Sequence, residues 1–159
     1  PAKLTWVNAH YIKQADDARL AALVAAQWAK RGLVVAADAR LVAMCALFKD
    51  RCNTTVDLAD WLQMYFAPVS PTAEDLAAHL TDAVRPALVA LRGRLAVCTW
   101  DKPGIALALK ETLAEHQLKM PLLAMPVRAL LCGRTQTPSV DAVVALFDRQ
   151  IVLERLQCA

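Results

Sequence analysis

Apolar side chains recur along this chain at intervals of three and four residues, the spacing that places them on one face of an α-helix. One such face runs through residues 20–28 and another through residues 41–52. Asp16 precedes the first as a helix N-cap, Gly32 ends it, and the second begins near Asp38. The opening third of the chain therefore predicts amphipathic helices with defined ends.

The same spacing, together with start and stop signals, predicts helices in the rest of the chain. Thr54 caps one helix, Ser70 with Pro71 begins the next, and Thr137 with Pro138 begins another. The remaining predicted helices cover residues 3–12, 84–97, 103–116, 124–131 and 151–156.

These elements predict an all-α fold, a multi-helix cage or bundle of about ten short helices in two subdomains. Short amphipathic helices are not stable alone and must bury their apolar faces against one another. Residues 70–75 are the best candidate linker. We therefore expect a connector at residues 1–15, a first helical subdomain at 16–70 and a second at 71–159.

Composition agrees with a packed domain. Apolar residues make up 57% of the 159 residues and charged residues 21%, which excludes a disordered tail. Four glycines and few β-branched runs favour helix. The net charge of +3 permits a polyanionic partner without requiring one, so the position of the basic residues matters more than their sum.

The cysteines and histidines do not predict a metal site. Five cysteines occur without a CxxC pair, and Cys45 and Cys52 would lie about 10 Å apart on one helix, too far for a disulfide. We expect free thiols in a reducing compartment. No signal peptide or membrane-spanning apolar run is recognisable, so the sequence predicts a cytoplasmic protein without membrane contact.

Catalytic motifs are also missing from the sequence. It has no phosphate-binding glycine loop, no HExxH and no GxSxG. The acidic residues at helix starts are explained by capping. Cys98 with His79 or His116 could form a thiol dyad, but a buried structural cysteine is preferred because no motif orients a base. We expect no catalytic residue and no cofactor in this chain.

Three arginines are candidates for ligand contact. Arg51 ends a predicted helix, Arg128 lies inside an apolar helix, and Arg134 lies in the loop after Gly133. An arginine in an apolar helix needs a hydrogen-bonding partner or contact with solvent, although most exposed arginines are merely solvated. A helix start at Thr137-Pro138 would leave backbone N–H groups for a phosphate or a base edge.

Four blocks of sequence, in register, resemble the C-terminal anticodon-binding domain of bacterial-type glutamyl-tRNA synthetases. Residues 3–12 resemble the segment that leaves the catalytic half, and 50–54 resemble a short R-x-x-T stretch. Residues 126–133 with 137–138 resemble the P-L-R-x-A-L-T-G…[ST]-P signature, and 148–156 resemble the G-K-x-x-x-L-x-R-L tail. The resemblance covers essentially the whole chain.

The departures from this pattern are local. Val127 replaces the usual Leu, Cys132 the usual Thr, and Pro121 a usual Gly. The HIGH and KMSK signatures of the family's ATP site are absent, because the catalytic fold of the family lies N-terminal to this segment. The resemblance therefore implies the C-terminal third of the enzyme.

The family's activity supplies further expectations. The whole enzyme would join glutamate to tRNA(Glu) with ATP and Mg²⁺, and this portion would bind the anticodon loop, whose unstacked bases are readable on their Watson–Crick edges. Arg51 would read one base, and non-discriminating members of the family carry Gln there. Arg128, Thr137, Pro138 and Val140 would shape the pocket for the other bases. Further tRNA contacts are expected from Lys3, Lys13 and Arg134, and the protein is expected to be a monomer.

Two other functions are compatible with the sequence. The first is a helical protein–protein interaction module, which would need only the Leu- and Ala-rich helices. The second is a small enzyme with an unrecognised catalytic centre. Salt-dependent binding of tRNA distinguishes the first of these from the anticodon-binding interpretation, because phosphate contacts release counterions.

Overall fold

The all-α prediction is confirmed by a computed structural model, which describes residue 12 and residues 14–157. Within those residues the chain forms nine α-helices and no strand. We number them α1 Asp17–Lys30, α2 Ala39–Phe48, α3 Thr55–Leu62, α4 Ala73–His79, α5 Arg85–Val97, α6 Lys102–His116, α7 Met120–Cys132, α8 Val140–Ala145 and α9 Arg149–Leu156. Two 3-10 turns, Lys49–Arg51 and Gln63–Tyr65, follow α2 and α3.

The chain divides into two compact units, Pro1–Ala67 and Pro68–Ala159. The functional assignment of residues 1–15, 16–70 and 71–159 stays a prediction. The predicted first helix, residues 3–12, lies outside the described residues except for Ile12, which is helical and buried.

The first unit is built on three mutually packed helices, α1, α2 and α3. Trp28 is fully buried between them, and its indole Nε1 donates a hydrogen bond of 3.0 Å to the carbonyl oxygen of Ala59. The Phe66 ring meets the indole edge-on at a centroid distance of 5.3 Å. The periodic face predicted at residues 41–52 is buried throughout, with Phe48 packed against the Tyr65 ring.

The second unit places α7 against α4, α5, α8 and α9, and α6 against α5 and α8. Leu88, Leu91 and Leu131 are among its buried side chains. Gly133 ends α7 with φ of +68°, in the left-handed region that glycine adopts without strain. The predicted stop signal of that helix is therefore confirmed.

Helix starts were predicted with mixed success. The side chains of Asp16, Asp38 and Thr54 accept hydrogen bonds from backbone N–H groups in the first turns of their helices, as expected. The start at Ser70-Pro71 is wrong, because Thr72 caps α4 and accepts from the backbone N–H of Asp75 at 3.0 Å. A side-chain acceptor three residues before a free N–H outweighs the preference for proline at the first helical position.

A helix start at Thr137-Pro138 is also wrong. Helix α8 begins at Val140, with Ser139 at the capping position, and the Thr137 hydroxyl is occupied elsewhere. Helix α7 is longer than the predicted 124–131, because it begins at Met120 and continues through Pro126 in its interior.

No disulfide joins the cysteines in the described part of the chain. Burial raises the pKa of the Cys45 thiol to about 12, with a smaller contribution from the nearby Asp17 carboxylate. Burial likewise raises the pKa of the Cys132 thiol to about 12, against the lowering effect of neighbouring arginines. Both thiols are therefore protonated, apolar parts of their cores at neutral pH.

Candidate nucleic-acid interface

A groove on the second unit is lined by two of the predicted site residues, Arg128 and Val140. Its volume is about 490 Å³, and it lies between α6, α7 and the start of α8. Most of its surface is apolar, as a site for a flat aromatic base requires. It is lined by Ala106, Met120, Pro121, Ala124, Met125, Arg128, Ser139, Val140 and Asp141.

Arg128 projects from α7 into this groove and is held there by a neighbouring loop. Its Nε donates a hydrogen bond of 3.0 Å to the Thr137 hydroxyl oxygen. That hydroxyl donates to the Pro138 carbonyl oxygen at 2.8 Å, and Thr137 is only 7% exposed. Because Nε is engaged, the two terminal amino groups of the guanidinium remain to donate in a fixed fork.

Hydrogen bonds thus connect Arg128, Thr137 and Pro138, and Val140 lines the same groove as Arg128. The contribution of Thr137 differs from the prediction. Its hydroxyl orients the arginine instead of capping a helix. Val140 is buried and forms part of the groove wall. Arg134 is exposed on the loop between α7 and α8 and is not among the residues lining the groove.

Sequence reasoning missed Asp141, the second charged residue in the groove. Its Oδ1 accepts hydrogen bonds from the Ser139 hydroxyl at 2.7 Å and from the backbone N–H of Ala142 at 2.8 Å. An acid in a first helical turn is ordinarily explained by capping and by the helix dipole. The sequence carries no signal that separates this acid from those caps.

Arg51 lies in the first unit, at the end of the 3-10 turn Lys49–Arg51, and it is exposed. The turn is anchored on both sides, because Phe48 before it and Cys52 after it are buried. The Lys49 ammonium pairs with Asp17 at 2.9 Å, and this hydrogen bond raises the pKa of Lys49. Lys49 therefore stabilises the fold through Asp17, and Arg51 is an exposed residue of the same turn.

Lys3 and Lys13, predicted as further contacts, lie outside the described residues.

Other arginines of the second unit have structural roles. Arg155 donates to the carbonyl oxygen of Leu131 at 2.6 Å and lies over the Phe147 ring, and burial lowers its pKa. Arg149 donates to the carbonyl oxygen of Cys98 and stacks on Trp100. These guanidinium groups satisfy carbonyls at the ends of α7 and α5.

The structure shows neither a metal centre nor a membrane span in the residues it describes. No group of three or more His, Cys, Asp or Glu side chains there could hold a metal ion. None of the described helices combines the length and the apolar character needed to cross a bilayer.

Sequence comparison relates this chain to known proteins. The family described as Anticodon binding domain matches residues 17–159. The glutamate–tRNA ligase of Leptothrix cholodnii is 62% identical over 157 residues, which cover 98% of this chain and 34% of that protein. The glutamate–tRNA ligase of Paracidovorax citrulli is 53% identical over 160 residues, which cover 99% of this chain and 34% of that protein.

Solved structures show the same fold. A crystal structure of a glutamate tRNA ligase from Elizabethkingia meningosepticum matches with a TM-score of 0.87 at 16% identity, covering 97% of this chain and 31% of that one. Glutamate-tRNA synthetase from Elizabethkingia anophelis matches with a TM-score of 0.82 at 16% identity, covering 97% and 30%. The chain belongs to the anticodon-binding domain family, and it spans about a third of the length of the glutamate–tRNA ligases that it matches.

Proposed function

We propose that this chain binds the anticodon loop of tRNA(Glu) as the C-terminal part of a glutamate–tRNA ligase. The whole protein would attach glutamate to that tRNA with ATP and Mg²⁺, as a cytoplasmic monomer. This chain contributes binding and no catalytic residue. Its high identity to proteins named glutamate–tRNA ligase, over a third of their length, supports the proposal.

The single observation that carries the proposal is the groove at Arg128. An apolar cleft of about 490 Å³ offers van der Waals contact to an unstacked base. The Arg128 fork supplies donors whose direction is fixed by Thr137. Carbonyl oxygens and ring nitrogens on a base edge are the matching acceptors. A base that enters this groove would therefore meet both an apolar wall and directed hydrogen bonds.

Binding of tRNA(Glu) to the isolated chain should weaken as salt increases. Each phosphate neutralised by a basic side chain releases counterions, so the logarithm of the association constant should fall by about 0.7 to 0.9 per contacted phosphate for each tenfold rise in salt. Titration of labelled tRNA at several salt concentrations measures this slope. A hairpin RNA of equal length with an unrelated loop is the control for charge, and it should bind more weakly.

Absence of RNA binding, or equal affinity for tRNA(Glu) and the control hairpin at every salt concentration, would refute the proposal. The first result would favour a protein–protein interaction module.

Arg128→Ala should reduce the affinity for tRNA(Glu) roughly tenfold to a hundredfold, because hydrogen bonds from a charged donor contribute about 1.5–3 kcal/mol. The free energy of unfolding should change by about 1 kcal/mol or less, since the described residues receive one hydrogen bond from this side chain. Fluorescence titration and urea unfolding measure the two quantities.

Arg128→Lys is the matched control for charge. It keeps the positive charge but cannot form the planar fork, so it should bind RNA almost as weakly as the alanine variant. If Arg128→Ala bound tRNA(Glu) as tightly as wild type but had a lower melting temperature, the role of Arg128 would be structural.

A further inference from the structure

We propose that Asp141 is a specificity-determining residue that accepts an N–H of the same base that Arg128 contacts. This inference deepens the proposed function and rests on it. Of the described residues that line the groove, two carry a charge, Arg128 on α7 and Asp141 in the first turn of α8.

The hydrogen bonds of Asp141 leave one oxygen for a ligand. Oδ1 accepts from both the Ser139 hydroxyl and the Ala142 backbone N–H, and these two donors fix the carboxylate in one orientation. No donor to Oδ2 occurs in the described part of the chain. A carboxylate oxygen held in this way is a preorganised acceptor, and hydrogen bonds to it are stronger than those between neutral groups.

The terminal amino groups of Arg128, the other charged residue in the groove, are also available to a ligand. Within the described residues, Arg128 makes a hydrogen bond through Nε alone, and no ion pair joins its terminal amino groups to Asp141. The groove therefore presents donors and an acceptor that do not satisfy each other. A ligand that satisfies both must carry acceptors and an N–H donor on one edge.

This combination selects a base over a phosphate. A phosphate offers only acceptor oxygens, and its negative charge would lie in the same groove as the Asp141 carboxylate, which is unfavourable. A nucleobase offers carbonyl oxygens or ring nitrogens beside an N–H on its Watson–Crick edge. Arg128 alone would be compatible with either ligand, so the preference for a base comes from Asp141.

Asp141→Asn tests this role with little change in shape. The amide oxygen can keep the two bonds from Ser139 and Ala142, whereas the amide nitrogen replaces Oδ2 and turns an acceptor into a donor. A base N–H would then face another donor, so we expect the affinity for an anticodon stem-loop RNA to fall about tenfold. Asp148→Asn is the matched control, because it adds the same charge change at the exposed cap of α9, outside the groove. It should leave the affinity within twofold.

Three abasic RNAs identify the base involved. Each lacks the base at one anticodon position, and each is titrated with wild-type protein, Asp141→Asn and Arg128→Ala. For the RNA that lacks one particular base, we expect both substitutions to reduce the affinity by less than twofold. For the other two abasic RNAs, both substitutions should reduce the affinity as they do for the complete stem-loop. The proposal would be overturned if the two substitutions lost their effect on affinity at different abasic positions. It would also be overturned if Asp141→Asn bound the complete stem-loop as tightly as wild type does.

The failure of this inference is distinguishable from that of the proposed function. If wild-type protein binds the stem-loop and Asp141→Asn binds it equally well, Asp141 has no role in recognition but the anticodon-binding function stands. Wild-type protein that binds no stem-loop removes both.

Discussion

Replacing Arg51 with glutamine in the full-length ligase should reduce its preference for tRNA(Glu) over tRNA(Gln) by about tenfold to a hundredfold. The two anticodons differ at their third base, which is C for glutamate and G for glutamine. The Watson–Crick edge of C carries two adjacent acceptors, O2 and N3, and a guanidinium donates to both at once. G presents N–H donors there and would leave both sides unpaired.

The position of Arg51 supports this prediction. Its side chain is exposed, while buried Phe48 and Cys52 fix the backbone of the turn that carries it. Substitutions at exposed positions usually change stability less than those in a core, and urea unfolding of the variant distinguishes a change in discrimination from a loss of stability. Glutamine can both donate and accept, which allows G to compete with C.

Lys49→Gln is the matched control, because it removes the same charge from the same turn. The Lys49 ammonium is already paired with Asp17, so its loss should leave the ratio of kcat/KM for the two tRNAs within twofold. Aminoacylation of both tRNAs by wild type and the two variants gives these ratios. If the ratio is the same for Arg51→Gln as for wild type, Arg51 is not the reader of the third base.

Trp28→Ala should lower the free energy of unfolding by about 3–5 kcal/mol, the usual cost of truncating a buried large aromatic side chain. Trp28 is fully buried, packs edge-on against Phe66, and donates to the Ala59 carbonyl oxygen. Truncation would leave a cavity and remove one of the two hydrogen bonds that the Ala59 carbonyl oxygen accepts, the other coming from the backbone N–H of Gln63. Urea unfolding followed by far-ultraviolet circular dichroism measures the loss without relying on indole fluorescence.

Two further variants separate the causes of that loss. Trp28→Phe keeps an aromatic ring but removes the indole N–H, so it should cost about 1–3 kcal/mol through the lost hydrogen bond to the Ala59 carbonyl oxygen and the reduced packing. Val34→Ala, at a position that is 91% exposed, should change stability by about 0.5 kcal/mol or less. A Trp28→Ala variant as stable as Val34→Ala would contradict the assignment of Trp28 to the core.

The fold was predictable because local signals and tertiary packing agree over most of the chain. Leu41, Met44 and Phe48 follow the helical period, and each is fully buried. Where two start signals competed, as at Ser70 and Thr72, the sequence did not indicate which one forms the hydrogen bond. The choice depends on the backbone conformation of the flanking loop, which local residue preferences do not determine.

Two residues of the candidate site were predictable from the sequence, but its geometry was not. Arg128 and Val140 were identified from the sequence, and both line the groove. The bond from Arg128 to Thr137 joins a helix to a loop, so no periodicity within one element reveals it. Asp141 was missed for a related reason, because its significance depends on facing the same cavity as Arg128.

The buried thiols make the opening of each unit separately measurable. Alkylating reagents attack the thiolate, and a pKa of about 12 keeps Cys45 and Cys132 protonated as well as shielded at neutral pH. Modification of either one requires the surrounding helices to separate, so its rate reports the free energy of that opening. Cys45 belongs to Pro1–Ala67 and Cys132 to Pro68–Ala159. The labelling kinetics of the two cysteines therefore give the opening equilibrium of each unit in the intact chain.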